Sequence, residues 1–260
     1  MSATACVYSV DGEGPPLYLI HGLGSRRIAW AGLIPHIRDH FTCVRYDLKG
    51  HGDSPAPPAE YDLKDMVADL ETIRTRLGHN KISIVGHALG GMIAAAYARA
   101  HSHRTRSLAL LSTDAGRSDE DRAALKTIGE ILETKGVNAI IGNLITRWYS
   151  DDFIVARPDL IAMAKKHVEQ TPEDVFASGF RVYAGTEMGK WLRDVTCPSL
   201  VLSGAFDTAC APRHNRFMSD ALPNAESVIV EGLKHSILIE GADRVAPPLV
   251  EFLLKYRVVD

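Results

Sequence analysis

The sequence lacks any apolar run approaching the roughly 18 residues a helix needs to cross a bilayer, so no part of it is expected to span a membrane. Cysteine is scarce: Cys6, Cys43, Cys197 and Cys210 stand far apart, without a Cys-x-x-Cys pair or metal-ligand spacing. That excludes a disulfide framework and gives no reason to expect a metal site; the four are read as reduced thiols. Charge of one sign is missing as well. The net charge is -3, with 29 Lys and Arg against 32 Asp and Glu, all scattered. Nucleic acid and anionic membrane are therefore not expected as partners, and a small neutral or acidic molecule fits better. Met1 to Val10 carries no basic start followed by a long apolar block, so no secretory signal is expected and the cytoplasm is the default compartment. No internal repeat, low-complexity tract or linker-like segment breaks the chain.

What is present is enough for one core. At 260 residues, 46% apolar and 23% charged, the chain has the composition of an ordinary globule with one large α/β domain. Short apolar runs alternate with longer amphipathic stretches: Leu17-Tyr18-Leu19-Ile20, Thr42 to Tyr46, Ile82 to Val85, Leu108 to Leu111, Leu200 to Leu202, and Ser227 to Val230. Most are nearly continuous rather than alternating, the signature of strands buried on both faces of a mostly parallel sheet with helices on each side. Met66, Leu70, Ile73 and Leu77 share one face of a helix from Asp65 to Leu77, with Asp62 placed to cap it. From Thr113 to about Lys190 the strand pattern stops and four or five helices follow, one starting at Thr171-Pro172-Glu173-Asp174, where Thr can cap and Pro suits the first turn. The expected division is a core domain of residues 1–113 and 191–260, with residues 114–190 inserted as a helical lid over the carboxyl ends of the strands, where open α/β sheets place their ligands.

The chemistry concentrates at the strand ends. Ile82 to Val85 runs into Gly86-His87-Ala88-Leu89-Gly90-Gly91 and then a helical stretch, a strand-to-helix elbow whose central residue is held in a strained turn between glycines. This elbow resembles that of the α/β-hydrolase family, and the resemblance extends over essentially the whole chain. His21-Gly22-Leu23-Gly24 is similar to the family's oxyanion loop, which implies that the backbone N–H groups of Leu23 and Leu89 face developing negative charge. Asp47-Leu48-Lys49-Gly50-His51-Gly52-Asp53-Ser54 is similar to the family's structural Asp-x-x-Gly-x-Gly-x-Ser turn. Ser203 to Asp207 resembles the loop presenting the catalytic acid, and Glu231 to His235 the loop presenting the catalytic histidine. The order elbow, acid, histidine is the family's order. Alone, Asp207 reads equally as a solvated loop acid and His235 as a surface histidine; in this order and context they read as a catalytic pair.

Such a pair implies a definite cycle. His235 takes the proton of a hydroxyl at position 88 and returns it to the leaving group, while Asp207 fixes the tautomer and stabilises the imidazolium. Yet position 88 is alanine. A methyl group cannot attack a carbonyl, and removing the serine of a comparable triad costs about a million-fold in turnover. Three readings stand open. Ala88 is an engineered replacement of serine, made to trap a substrate. Alternatively the chain is a naturally serine-free hydrolase: bacterial pyrimidine-degradation hydrolases acting on carbamate or aminoacrylate resemble this elbow, and there His235 and Asp207 would activate water on a small carbamate, enamine or amide. The third is a ligand-binding protein on the same fold, against which the retained Asp207 and His235 speak. As a whole the resemblance implies a cofactor-free hydrolase of carboxylic esters or lactones, of the enol-lactonase type used in small-molecule catabolism, inactive or strongly impaired if Ala88 stands in for serine.

Arg147-Trp148-Tyr149-Ser150-Asp151-Asp152-Phe153, with the stretches from Pro158 and Thr171, resembles the lid of 3-oxoadipate enol-lactonases. Trp148 is then a pocket aromatic or the core of a small helical subdomain, and Arg147 either pairs with a substrate carboxylate through its planar fork or is a solvated helix-end residue. Met188 and Trp191, at the lid exit, are further pocket candidates. Asp114 reads as a lid cap, and His87 as a residue that packs or hydrogen-bonds locally. His101 and His103 close a helix, and no third ligand makes them a metal site.

Overall fold

A strand covered on both faces is apolar at most positions; five of the six runs form interior strands of one sheet, and the sixth, Ser227 to Val230, forms part of a partly exposed edge strand. The computed structural model describes residues 6–58 and 61–257; the first half of the Met1 to Val10 stretch considered above and the outer bounds of the expected core domain lie outside the described residues. In chain order the elements are β1 (Tyr8–Asp11), β2 (Pro16–Ile20), α1 (Ile34–Ile37), β3 (Thr42–Tyr46), α2 (Leu63–Arg76), β4 (Ile82–His87), α3 (Leu89–Ala100) and β5 (Thr105–Leu111). Helices α4 (Asp119–Lys135), α5 (Ile141–Trp148), α6 (Asp151–Ala156), α7 (Pro158–Glu169) and α8 (Glu173–Gly185) follow without a strand among the described residues. The alternation then resumes with β6 (Ser199–Gly204), α9 (Pro212–Ala221), β7 (Ala225–Val230), α10 (Ile237–Glu240) and α11 (Ala242–Lys255).

The seven strands pair in the order β1-β3-β2-β4-β5-β6-β7. All neighbours are parallel except β1, which runs antiparallel to β3 at the edge. Parity within each run decides which face a side chain joins. Tyr18, Ile20, Ile82, Ile84, Leu108 and Leu110 pack against α2 and α3, whereas Leu17, Leu19, Val85, Ala109, Leu111 and Leu202 pack against α1 and α11. Strand order reverses between β2 and β4. Their carboxyl ends therefore open the crevice in which such sheets bind ligands, and the loop after β2 and the elbow after β4 both stand in it.

Local signals explain some element ends and mislead at others. Asp62 caps α2, accepting from the Lys64 and Asp65 N–H groups, and Asp65 answers as a capping box. Thr171 does not cap α8: its hydroxyl donates to His167 O of the preceding helix, and Pro172 takes the cap position without a side-chain bond. Nor does Asp114 cap an inserted helix. Ser118 caps α4, and Asp114 is buried in an ion pair with Arg117. Strand β1 went unread in the sequence because Tyr8-Ser9-Val10-Asp11 is short, half polar and half exposed, as an edge strand can be. Among the described residues, no helix is long and apolar enough to cross a membrane.

Candidate active site

Position 88 sits on the sharp turn between β4 and α3 with φ 51° and ψ -117°. A left-handed φ is strained for any residue with a side chain, at a cost of about 1–3 kcal/mol, so surrounding contacts must hold it. The glycines on either side are required by the same crowding. A Cβ on Gly86 would strike the Gly90 carbonyl, and one on Gly90 would strike the Ile20 and His21 carbonyls of the neighbouring loop. The turn thus brings the Ala88 methyl to the floor of a pocket of about 140 Å³, which Leu23, Leu89, Trp148 and His235 also line.

His235 and Asp207 come together from the loops after β7 and β6. The His235 Nδ1–H donates to Asp207 Oδ2 at 2.9 Å, and both residues are buried. This leaves Nε2 as the free nitrogen of the neutral ring, the atom needed to accept a proton in the pocket. Asp207 Oδ1 accepts the N–H groups of Ala209 and Cys210 at 2.8 and 2.7 Å. Burial pushes the Asp207 carboxyl up, but the facing His235 imidazole and the Cys210 N–H outweigh it and hold the carboxyl below its ordinary value. Asp207 is therefore ionised wherever His235 can act as a base. All four cysteines are free; Cys210 is buried behind the pair, its thiol 3.7 Å from the Tyr183 hydroxyl and pushed well up by burial. Asp207, Cys210 and His235 group three potential ligand atoms within 4.8 Å of one another. Asp207 and His235 are already bonded to each other and the Cys210 thiol faces the Tyr183 hydroxyl, an arrangement suited to proton transfer.

The two backbone N–H groups expected to meet negative charge are free to do so. Among the described residues, neither the Leu23 nor the Leu89 N–H donates to a protein acceptor, and both residues line the pocket. Leu89 also opens α3, whose N-terminal end favours an anion. Two histidines that the sequence left without a role shape the loop bearing Leu23. His21 donates from Nδ1 to Gly22 O at 2.8 Å and accepts at Nε2 from the Leu48 N–H at 3.0 Å. His51, inside the Gly-His-Gly turn, donates from Nδ1 to Lys49 O at 3.1 Å and accepts at Nε2 from the Gly24 N–H at 3.1 Å. Burial keeps both rings neutral, His21 well below its ordinary value and His51 down to about 4. The turn at 47–54 thus supports the loop at 22–24 through imidazoles used as fixed backbone partners. The glycines of that turn were legible; the histidine between them was the unread signal.

His87 behaves as expected, donating from Nε2 to His235 O at 2.9 Å, and burial, with His235 next to it, takes it down to about 3. Trp148 lies at the pocket wall with its ring 6.4 Å from that of His235, nearly parallel at 29°. Arg147 also lines the pocket, yet its Nη2 is committed to Thr208 O at 2.7 Å. Met188 and Trp191 are not pocket residues. Met188 is fully buried in the core between sheet and helices, and Trp191 packs against that same core with Arg99 5.4 Å over its ring. Proximity in sequence to the inserted helices misplaced them; the chain has already turned back to the sheet at Met188.

The model of the α/β-hydrolase fold family matches residues 15–134. An (E)-2-((N-methylformamido)methylene)succinate hydrolase of Acinetobacter baylyi is 26% identical over 246 residues, 92% of this chain and 90% of that protein. A protein assigned as the carbamate hydrolase RutD in Pseudomonas savastanoi pv. phaseolicola is 26% identical over 245 residues, 93% of this chain and 94% of that one. The crystal structure of the enol-lactonase from Burkholderia xenovorans LB400 matches with a TM-score of 0.88 and 27% identity, covering 96% of each chain. Together with the strand order, this similarity gives the chain the α/β-hydrolase fold.

Proposed function

We propose that this chain is a cofactor-free hydrolase that splits a small acyl compound with water, using His235 as the base. The observation that carries the reading is the His235 ring, oriented by its bond to Asp207 at 2.9 Å, in a pocket that two uncommitted backbone N–H groups share. His235 Nε2 takes a proton from water as its oxygen attacks the acyl carbon, Leu23 and Leu89 N–H groups receive the charge on the carbonyl oxygen, and the imidazolium then returns its proton to the leaving group. Without a covalent intermediate, the acyl carbon must be reactive in itself. Enol lactones, activated esters and N-acyl enamines meet that requirement through their stabilised leaving groups. Relatives named for an enol-lactone and a formamido-enamine substrate support the same range. In this reading residues 114–190 form a cap whose Leu144, Trp148, Phe176 and Phe180 give the pocket apolar walls suited to a small, partly apolar substrate.

One observation favours a second reading. Ala88 keeps the left-handed backbone at φ 51°, a strain that benefits a nucleophile and does nothing for a methyl group. If position 88 belongs to serine, the chain is an ester or lactone hydrolase with a Ser-His-Asp cycle, and Ala88 is its engineered, inactive form. Ala88 protein and an Ala88→Ser variant are to be assayed against p-nitrophenyl esters, simple and enol lactones, and carbamates. Water activation predicts turnover by the Ala88 protein that His235→Ala abolishes, with little gain from serine. A gain of about 10⁴-fold or more on adding serine supports the second reading instead, and binding without turnover by either protein overturns both.

A further inference from the structure

The last turn of α5 is tied to both catalytic loops. On the histidine side, the Ser236 N–H donates to Trp148 O at 2.9 Å and Lys234 Nζ donates to Thr146 O at 2.8 Å, so the residues flanking His235 are both held. Just beyond the helix, the Ser150 N–H donates to the Glu240 carboxylate at 3.1 Å. On the acid side there is a single tie, from Arg147 Nη2 to the carbonyl of Thr208 at 2.7 Å. Thr208 follows Asp207 directly and lies inside the turn that Asp207 Oδ1 closes on the Ala209 and Cys210 N–H groups. Among the described residues Thr208 has no other hydrogen-bond partner, and Arg147 has no carboxylate partner. The bond is exposed to solvent, but a planar guanidinium donor is directional, so it orients the acid turn relative to α5.

We propose that Arg147 is a positioning residue for the catalytic pair rather than a substrate anchor. It connects the acid loop to the helix turn that already holds the histidine loop, so that one turn of the inserted segment sets the Asp207–His235 separation. The two loops leave neighbouring strands and are joined at their bases, where the Ala205 N–H donates to Val230 O and the Phe206 N–H to Leu233 O, both at 2.9 Å. Beyond Phe206 the acid turn meets the histidine loop only through the Asp207–His235 bond itself and, by way of Arg147, through α5. This assignment rests on His235 and Asp207 working together as proposed above, but its test does not depend on any substrate.

The test reads the Nδ1–H proton of His235 by NMR in the protein as it stands, since a short imidazole–carboxylate bond shifts and sharpens that resonance downfield. Arg147→Ala is expected to broaden or erase it while the circular dichroism spectrum stays unchanged, and Arg147→Lys, whose ammonium can still reach one carbonyl, is expected to restore much of it. On a turned-over substrate, Arg147→Ala should lower kcat about 100-fold, the effect of a displacement near 1 Å, with KM within about twofold of its starting value. A sharp, unshifted resonance in folded Arg147→Ala overturns the assignment. So does a rise in KM with kcat unchanged, which would mark a substrate anchor. If no acyl compound is turned over by any variant, the hydrolase reading fails while the resonance still decides the role of Arg147.

Discussion

Lowering the pH from 7 to 5 is expected to weaken this fold through His51 alone by about 2 kcal/mol, as its neutral ring is part of the backbone scaffold under the loop at 22–24. The ring's pKa falls from 6.5 to about 4 on folding, with burial as the main cause. Between those values the unfolded chain binds a proton that the folded chain refuses, so stability rises with pH through the window and is lost as pH falls toward 4. Each pH unit below 6.5 is worth about 1.4 kcal/mol, hence the figure at pH 5. His51→Gln removes the titration and retains an amide oxygen able to accept the Gly24 N–H. Urea unfolding of both proteins at pH 7, 6 and 5 gives the comparison, in which His21 and His87 titrate alike and cancel. The parent should lose about 2 kcal/mol more than the variant between pH 7 and 5. Equal losses would mean that His51 accepts a proton freely in the folded state, and the account of the loop's support would fail with it.

Two further outcomes follow from the same geometry. Asp207→Asn leaves the shape of the acid loop but offers His235 an amide in place of a carboxylate, so kcat should fall by as much as about 10⁴-fold, as the same change does in a comparable triad; an unchanged rate would remove Asp207 from the mechanism. Arg117→Met strands the buried Asp114 carboxylate, and breaking a buried pair from one side costs about 3–5 kcal/mol. Urea unfolding should show that loss, and Asp114→Asn added to it should recover part; a change under about 0.5 kcal/mol would place the pair among surface bridges.

Local pattern was enough to read the sheet, because burial on both faces writes itself as an unbroken apolar run and the elbow writes itself as glycines around one crowded turn. Six of the seven strands, the capping of α2 by Asp62 and the four loops of the site follow from such short-range marks. Partners chosen across long separations left no mark. Arg117 stands only three residues from Asp114, yet what holds it against that carboxylate is its donation to the carbonyls of Ala184, Thr186 and Tyr183, between 66 and 69 residues away, which no local pattern showed. The same holds for His51 and Gly24, 27 residues apart. Thr171 shows the converse failure, a good local capping signal overruled by the His167 carbonyl of the helix it ends.

The helices between β5 and β6 are more than a pocket wall. Trp148 is at once a pocket wall, a ring lying over that of His235, and the carbonyl on which the histidine loop rests. Its neighbour Arg147 lines the same pocket and holds Thr208. A change that reshapes the wall at this turn therefore also moves the base relative to its acid, and specificity and rate cannot be altered there independently. Ile128 of α4 and Phe180 of α8, unlike Tyr183 with its contact to Cys210, have no hydrogen bond to those loops among the described residues. Substitutions at those positions should move KM between substrates with kcat largely kept, whereas substitutions at 147 and 148 should lower kcat for every substrate alike.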